Sequence, residues 1–375
     1  MENVDERIKE VKTEFAPDKR TSIFEITYVK YFEKLIVKGE TNNKEAKNKL
    51  IDLLTQNDGL EIMDSITVLP SSKLGDKIYA VVTVAVCNMR AKPDHAAEMV
   101  SQALMGAHCN VYKTSEDDWY LIQSPDGYLG WVDESAIELM DSDKIKSWKS
   151  SEKVIVQASE SFVYEGVPKN SGIVSDVTIG NLLMLEQSEA GNYKVSLPDG
   201  REGYISKSDA VPFAEWAKQA KPTAEGVMSF AKTFLGKPYM WGGTSYRGVD
   251  CSGFTKTVYL MNGVLLQRDA SQQVLTGEAV DISNGYDKLQ PGDLVFFGSK
   301  AHENKKERVT HVGIYIGNSD FIHSAGRVRI NSFDPQSPIY SKYRTSTFLH
   351  ARRVLSSLNA NGIETISGSS YFIKL

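Results

Sequence analysis

Cys251 lies where a cysteine could act as a nucleophile. Asp250 precedes it, and the run that follows carries Phe254, Val258 and Met261 at the spacing of one helical face. Because Asp is a good N-cap, the pattern predicts Cys251 in the first turn of a helix. There the helix dipole and free backbone N–H groups favour the thiolate. A small, buried and inert cysteine is the alternative, and this stretch alone does not decide between the two.

Two histidines downstream could supply the base. Residues 292–298, 309–317 and 320–326 read as three short strands separated by turn residues. His311 lies near the start of the second strand and His323 within the third. In adjacent antiparallel strands the two side chains can share a face, so that His311 takes the thiol proton and His323 orients its ring. A single histidine in a strand is more often structural, but two of them after a capped cysteine favour catalysis.

Five motifs surround these residues in a fixed order. They are Tyr-x-Trp-Gly-Gly at 239–243, Asp-Cys-Ser-Gly-Phe at 250–254, Arg-Asp-x-Ser-Gln-Gln at 268–273, Pro-Gly-Asp-Leu-Val-Phe-Phe at 291–297 and His-Val-Gly-Ile-Tyr at 311–315. Through them, the chain from about 213 to 354 resembles the NlpC family of bacterial cell-wall cysteine peptidases. The resemblance implies a papain-like α+β catalytic domain.

The same resemblance implies roles for individual residues. Cys251 would be the nucleophile, His311 the base and His323 the orienting residue. Tyr239 would sit beside the nucleophile and polarise the scissile carbonyl, with the backbone N–H of Cys251 as the second oxyanion donor. The residues expected to line the substrate cleft are Trp241, Asp250, Ser252, Asp269 and Ala270. Many relatives carry Ser at the position of Ala270, so only a backbone contact is expected there.

Composition narrows the class of protein. The chain has 375 residues, which predicts two to four domains, and a net charge of −5 gives no basic footprint for nucleic acid. Its three cysteines form no disulfide framework, and no Cys/His cluster has zinc-ligand spacing. We therefore expect neither a metal nor a cofactor. No apolar run approaches the ~20 residues of a membrane span.

The start of the chain, from Met1 to Arg7, shows no apolar signal segment. If Met1 is the native start, we expect a cytoplasmic protein. If a signal peptide was removed, we expect a periplasmic or cell-envelope protein.

Residues 1–78 are rich in Lys and Glu and read as a small helical domain. Helices are predicted at 5–14, 24–37 and 43–56, the second from the spacing of Tyr28, Phe32 and Leu35.

An internal repeat follows, and it predicts two small β-barrels. Pro125-Asp-Gly127 and Gly130-Trp-Val132 recur 73 residues later as Pro198-Asp-Gly200 and Gly203-Tyr-Ile205. The two units, 79–141 and 152–211, resemble bacterial SH3 domains. Their aromatic residues are expected mainly in the cores. Residues 212–355 form the predicted catalytic domain, and 356–375 a loosely packed tail.

This domain order resembles that of the γ-D-glutamyl-L-diamino-acid endopeptidases, which act on murein peptides. In such enzymes the first SH3 unit closes one end of the groove and recognises the free amine of an N-terminal L-Ala. The matching candidates here are Glu98 and Tyr128. The resemblance implies a peptidase that cuts the γ-D-Glu–diamino acid bond and releases L-Ala-γ-D-Glu.

Two alternatives stay open. One is a wall-binding protein with SH3-like units and an inactive peptidase fold, and the other is an amidase or acyltransferase on the same fold. The sequence leaves open the identity of the diamino acid, Lys or diaminopimelate, and the oligomeric state.

Overall fold

The N-terminal segment folds as a small sheet with two helices. The computed structural model describes residues 2–56, 60–167, 171–369 and 371 of the chain. The elements of this segment are α1 (Glu2–Phe15), β1 (Phe24–Tyr31), β2 (Lys34–Thr41), α2 (Lys44–Thr55) and β3 (Glu61–Val68). β1 and β2 pair antiparallel, and β3 lies parallel to β2. The helices predicted at 5–14 and 43–56 are confirmed.

The helix predicted over 24–37 is wrong, because this stretch is the β1–β2 hairpin. Phe24, Ile26 and Tyr28 alternate with polar residues and pack on the core of the segment, which is the period of a strand. Phe32 lies in the turn with φ +51°, so it interrupts the helical spacing on which the prediction depended. The segment is therefore a mixed α/β structure and not a helical one.

The first repeat unit is a seven-stranded antiparallel structure. Its strands are β4 (Tyr79–Val82), β5 (Val86–Arg90), β6 (Met99–Leu104), β7 (His108–Thr114), β8 (Trp119–Gln123), β9 (Leu129–Asp133) and β10 (Ile137–Met140). Their order in the sheet is β10-β4-β7-β8-β9-β5-β6. Cys87 and Cys109 lie buried within this unit, and neither forms a disulfide bond.

The second unit repeats this topology. After α3 (Ser142–Ser150) come β11 (Lys153–Val156), β12 (Glu160–Tyr164), β13 (Ile173–Thr178), β14 (Leu182–Ser188), β15 (Asn192–Ser196), β16 (Glu202–Ser206) and β17 (Ala210–Pro212). The order β17-β11-β14-β15-β16-β12-β13 is the order of the first unit, strand for strand. Trp119 and Tyr193 are buried as predicted, whereas Trp131 and Tyr204 are only half-buried.

The C-terminal part of the chain, from residue 213 on, combines short helices with a six-stranded sheet. Its elements are α4 (Phe213–Gln219), α5 (Ala224–Thr233), β18 (Thr244–Ser245), β19 (Gly248–Val249), α6 (Cys251–Met261), β20 (Val264–Leu265), α7 (Ala270–Gln273), β21 (Glu278–Val280), β22 (Leu294–Ser299), β23 (Arg308–Gly317), β24 (Asp320–Ala325), β25 (Arg327–Ser332), α8 (Lys342–Ser346), β26 (Phe348–Arg353) and β27 (Glu364–Thr365). The sheet order is β21-β26-β22-β23-β24-β25. The three predicted strands that carry the histidine motifs are confirmed as β22, β23 and β24.

The core of this part lies between α6 and the sheet. Phe254 and Val258 of α6 pack in one apolar cluster with Val312 and Ile314 of β23 and Ile322 of β24. The helix that begins at Cys251 is thus pressed onto the two strands that carry the histidines. This packing brings residues far apart in sequence to one place.

The C-terminal tail is better packed than predicted. Ile363 and Ile366 are buried, and β27 pairs antiparallel with β20. The prediction of a loose tail overlooked these two apolar side chains among Ser, Asn and Gly. Residues 370 and 372–375 of the predicted tail lie outside the described residues.

By its packing, the chain divides into two compact units. The first comprises residues 1–81, 90–97 and 108–145, and the second comprises residues 82–89, 98–107 and 146–375. Glu98 and every predicted catalytic residue belong to the second unit, whereas Tyr128 belongs to the first. Among the described residues, no helix is both long and apolar enough to cross a membrane.

Candidate active site

Cys251 is the first residue of α6, as predicted. Asp250 caps the helix, and its Oδ1 accepts a hydrogen bond of 2.7 Å from the backbone N–H of Gly253. The other oxygen of Asp250 accepts from the backbone N–H of Gly242 at 3.0 Å. The cap thus ties the start of the helix to the Tyr-x-Trp-Gly-Gly loop.

A buried arginine completes this arrangement. Arg268 is 1% exposed, and its guanidinium bonds both oxygens of Asp250, at 3.2 and 2.6 Å. It also donates to the Oγ atoms of Ser252, at 3.1 Å, and Ser101, at 3.1 Å. The Asp250 oxygens are therefore fully engaged within the protein, and the side chain acts by fixing the helix start and Arg268. Its predicted contact with substrate stays a prediction.

The thiol of Cys251 is not ionised at rest. Burial and the neighbouring Asp250 carboxylate raise the pKa of the Cys251 thiol to about 11, although Arg268 and the N–H groups of Val312 and Ser252 favour the thiolate. The predicted lowering of this pKa by the helix N-terminus is wrong, because the loss of water around the sulfur outweighs the dipole. A base must therefore take the proton during the reaction.

His311 and His323 meet as predicted. His311 lies on β23 and His323 on β24, both buried, and His311 Nε2 lies 2.7 Å from His323 Nδ1. Their rings are nearly perpendicular, with centroids 5.0 Å apart. Since the N–H of Val312 faces the sulfur of Cys251, the thiol lies against the strand that carries His311.

Asn331 on β25 extends this pair into a chain and was missed in the sequence. His323 Nε2 lies 2.9 Å from Asn331 Oδ1, and Asn331 Nδ2 donates to the carbonyl of Ile339 at 2.9 Å. The second bond fixes the amide with its oxygen toward His323, so His323 Nε2 carries a proton and its Nδ1 accepts one from His311 Nε2. His311 Nδ1 is then the unprotonated nitrogen, free to take the thiol proton. No spacing signal marks Asn331, because its role depends on the pairing of β24 and β25.

Both histidines are held neutral. Burial, followed by the nearby Arg344, His323 and Arg329, lowers the pKa of His311 well below its ordinary value. Burial likewise lowers the pKa of His323 to about 4. The resting site is thus a thiol beside a neutral imidazole, a pair able to transfer one proton when substrate arrives.

Tyr239 is placed to be a hydrogen-bond donor. Burial, then the charges of Cys251 and Asp250, raise the pKa of the Tyr239 hydroxyl well above its ordinary value, so it stays protonated. Within the described part of the chain its hydroxyl makes no hydrogen bond, and neither does the backbone N–H of Cys251. Two uncommitted donors beside a nucleophile suit an oxyanion.

Glu98 and Trp241 are brought together. The indole N–H of Trp241 donates to Glu98 Oε1 at 2.8 Å, and both side chains are exposed. β6, which follows Glu98, is tied to the same loop because Gln102 Oε1 accepts from the backbone N–H of Thr244 at 3.0 Å. No cation among the residues described here pairs with Glu98. The result is an oriented carboxylate without a counter-charge.

The other predicted cleft residues lie around α6 and α7. Ser252 is buried beside Arg268, Asp269 caps α7 in a capping box with Gln272, and Ala270 is the buried first residue of α7. Tyr128 belongs to the first of the two compact units. Its side chain is 7% exposed, and its backbone N–H donates to Asp126. Among the described residues no cluster of His, Cys, Asp and Glu could hold a metal ion.

Comparison with known proteins identifies the family. Residues 236–353 match the NlpC/P60 family, and residues 89–137 match the bacterial dipeptidyl-peptidase SH3 domain. The chain is 32% identical, over 61% of its length and 68% of the relative's, to a γ-D-glutamyl-L-lysine dipeptidyl-peptidase of Bacillus cereus. The chain belongs to the NlpC/P60 family. A γ-D-glutamyl-L-lysine dipeptidyl-peptidase of Bacillus subtilis is 35% identical to this NlpC/P60 chain, over 54% of its length and 62% of the relative's.

A solved structure supports the fold. An NlpC/P60 family protein from Bacillus cereus is 26% identical and superposes with a TM-score of 0.63, covering 74% of this chain and 99% of that one. The expected papain-like NlpC fold and an SH3 domain before it are confirmed. The chain is a cysteine peptidase of the cell-wall type.

Proposed function

We propose that this NlpC/P60 peptidase cuts the γ-D-Glu–diamino acid bond of murein-derived peptides whose N-terminal L-Ala is free, releasing L-Ala-γ-D-Glu. The observation that carries the proposal is the Glu98–Trp241 pair. It joins a carboxylate that has no counter-charge among the described residues to the loop that also holds the cap of the nucleophile helix. The names of the two Bacillus relatives agree with this bond.

The chemistry follows from the hydrogen-bond chain. His311 Nδ1 takes the proton of Cys251, and the sulfur attacks the γ-carbonyl carbon of D-Glu. The Tyr239 hydroxyl and the Cys251 N–H stabilise the oxyanion. When the C–N bond breaks, the His311 imidazolium protonates the leaving amine, and a thioester remains. Water, deprotonated by His311, then cleaves the thioester and releases the dipeptide and the thiol.

Glu98 would read the substrate's amine. An N-terminal ammonium is a cation, and it would bond the carboxylate oxygen that Trp241 leaves open. Capping that amine with an acyl group removes the charge, so acylated substrates would leave the carboxylate without a partner. Intact murein, in which the lactyl group of the sugar caps L-Ala, would be a poor substrate. Such an enzyme suits the recycling of released peptides.

The test compares rates on free, N-acetylated and murein-linked L-Ala-γ-D-Glu-diamino acid peptides. Wild type should prefer the free peptide, and Glu98→Gln, which keeps an acceptor for Trp241, should lose roughly tenfold or more in kcat/KM on it. Glu225→Ala removes an exposed carboxylate elsewhere in the second compact unit and should leave the rates on all three substrates unchanged. Equal rates on all three substrates would overturn the amine-recognition proposal.

The nucleophile is tested on the same peptides. Cys251→Ser should lose activity by several orders of magnitude, since a hydroxyl is a far poorer nucleophile beside one histidine. Cys87→Ser and Cys109→Ser should remain active. A wall-binding protein with an inactive peptidase fold would show no such difference between the three variants.

A further inference from the structure

Arg344 is a cation beside the catalytic pair that the mechanism does not use. It lies on the short helix α8, and its guanidinium carbon is 5.6 Å from the ring centroid of Phe297 and 5.3 Å from that of Tyr343. Phe297 pairs with His311 in the β22–β23 register, and their rings lie 5.8 Å apart. Two aromatic rings thus hold the guanidinium on the side of the site formed by His311.

The guanidinium has no anionic partner in the part of the chain that the structure describes. In residues 2–56, 60–167, 171–369 and 371 it forms neither a hydrogen bond nor an ion pair. The groups whose charges act on it are Tyr343, Cys251, Arg329 and Tyr239, with no carboxylate among them. Arg268, by contrast, is fully engaged with Asp250, Ser252 and Ser101. A half-buried Arg with open donors is a binding site for a carboxylate or phosphate.

Arg329 adds a second positive charge in this region. It lies on β25, directly opposite His323 in the β24–β25 register, and is exposed. Its charge acts on Arg344, His311 and His323 alike. Two like charges near each other are unfavourable without an anion. An anionic ligand would relieve this repulsion.

The catalytic role of His311 indicates which part of the substrate lies near Arg344. The proton that His311 delivers must be within hydrogen-bond reach of the leaving amine. The diamino acid that carries this amine therefore lies on the His311 side. Glu98 is bonded instead to Trp241, and Arg268 to Asp250 at the start of α6. Any free carboxylate of the diamino acid would meet Arg344.

We propose that Arg344, assisted by Arg329, binds a carboxylate of the residue on the leaving side of the scissile bond. The proposal rests on the proposed function and adds a specificity determinant to it. Peptides whose diamino acid bears a free carboxylate would be preferred over those in which it is amidated. Diaminopimelate, with a carboxylate at each end, would supply such a group even when its α-carboxyl is joined to a further residue.

The experiment varies the leaving residue and the arginine together. Three substrates are compared: L-Ala-γ-D-Glu-L-Lys, its C-terminal carboxamide, and the diaminopimelate peptide with only its α-carboxyl amidated. Wild type should cleave the carboxamide of Lys about tenfold or more slowly, in kcat/KM, than a peptide with a carboxylate that reaches Arg344. The two acidic peptides report which carboxylate is bound.

Arg344→Ala should abolish this preference while leaving the rate on the carboxamide within about twofold of wild type. Arg344→Lys keeps the charge but not the planar, forked guanidinium, so it should keep part of the preference for a free carboxylate. Lys342→Ala removes an exposed cation from the same helix and should behave as wild type. Melting curves check that each variant is folded.

Three outcomes would overturn the proposal. If wild type cleaves all three peptides equally at the γ-D-Glu bond, the proposed function stands and the role of Arg344 falls. The same conclusion follows if Arg344→Ala loses activity equally on all three. If no peptide is cleaved at that bond, the proposed function fails, and this inference fails with it.

Discussion

The protonation of His311 is set by a residue that never approaches the substrate's reacting bond. The Ile339 carbonyl orients the Asn331 amide, whose oxygen accepts a hydrogen bond from His323 Nε2–H. His323 Nδ1 in turn accepts a hydrogen bond from His311 Nε2–H. Each bond fixes the direction of the next. At the end of the chain, His311 Nδ1 keeps an open lone pair that can take the thiol proton.

Asn331→Ala should therefore lower kcat by about tenfold with little change in KM. Without the amide oxygen, His323 is free to adopt either tautomer, and one of them presents an N–H to His311 instead of an acceptor. Asn331→Asp keeps an acceptor at the same place and should regain most of the rate. Steady-state kinetics on the free peptide give both constants.

A purely structural role for Asn331 predicts something different. Both variants would then have a lower melting temperature, and kcat would follow the folded fraction without rescue by Asp. His323→Asn should likewise keep a measurable remainder, because an amide oxygen can still accept from His311, whereas His311→Ala should be nearly inactive. Equal losses in these last two folded variants would contradict the division of roles.

At the level of elements, the site depends on a close approach between the Trp241 loop and the segment that carries Glu98. Gly242 has φ +77°, and a Cβ added there would lie 2.3 Å from the carbonyl oxygen of Met99. Only glycine permits this conformation and this contact together. Trp241 precedes Gly242 and Glu98 precedes Met99, so this close approach joins the two residues of the proposed amine-binding pair.

Gly242→Ala should therefore destabilise the protein and impair amine recognition. Gly236 is a matched control, because it has a similar φ of +85° but open space around it. Gly236→Ala should cost only the left-handed backbone penalty, about 1–2 kcal/mol. Gly242→Ala should cost more and should also lower kcat/KM on the free-amine peptide. Urea unfolding and rates measure the two effects, and equal changes in both variants would show that the contact with Met99 has no role.

Elements built from local signals were predictable, and those that depend on tertiary pairing were not. Asp250 before an apolar period marks the start of α6, and the Gly-flanked β-branched runs mark β22 to β24. The β1–β2 hairpin was missed because Tyr28, Phe32 and Leu35 mimic a helical period. Asn331 and Arg344 carry no motif, since their positions depend on strand register and on a five-residue helix. The thiol pKa was missed because burial is not visible in a local sequence.

At the level of the whole molecule, the pH dependence of the reaction should reflect two protonation states. One is that of His311 on the enzyme, and the other is that of the substrate's N-terminal amine. His311 must be neutral to act, and the pKa of this histidine is lowered by burial and by Arg344, His323 and Arg329. At a pH below that pKa, His311 is protonated and cannot accept the thiol proton. We therefore expect kcat/KM to rise with pH through a midpoint below 6.5. The thiol sets no limit near neutrality, because the pKa of Cys251 is raised to about 11.

The alkaline limb should therefore belong to the substrate. An α-amine has an ordinary pKa of about 7.7–8.0, and once it loses its proton it no longer attracts Glu98. With wild type, kcat/KM on the free peptide should fall above about pH 8. With Glu98→Gln, the rate should be lower throughout, but this fall should disappear while the acid limb stays in place. An alkaline limb that persists unchanged in Glu98→Gln would assign it to an enzyme group and remove the carboxylate from amine recognition.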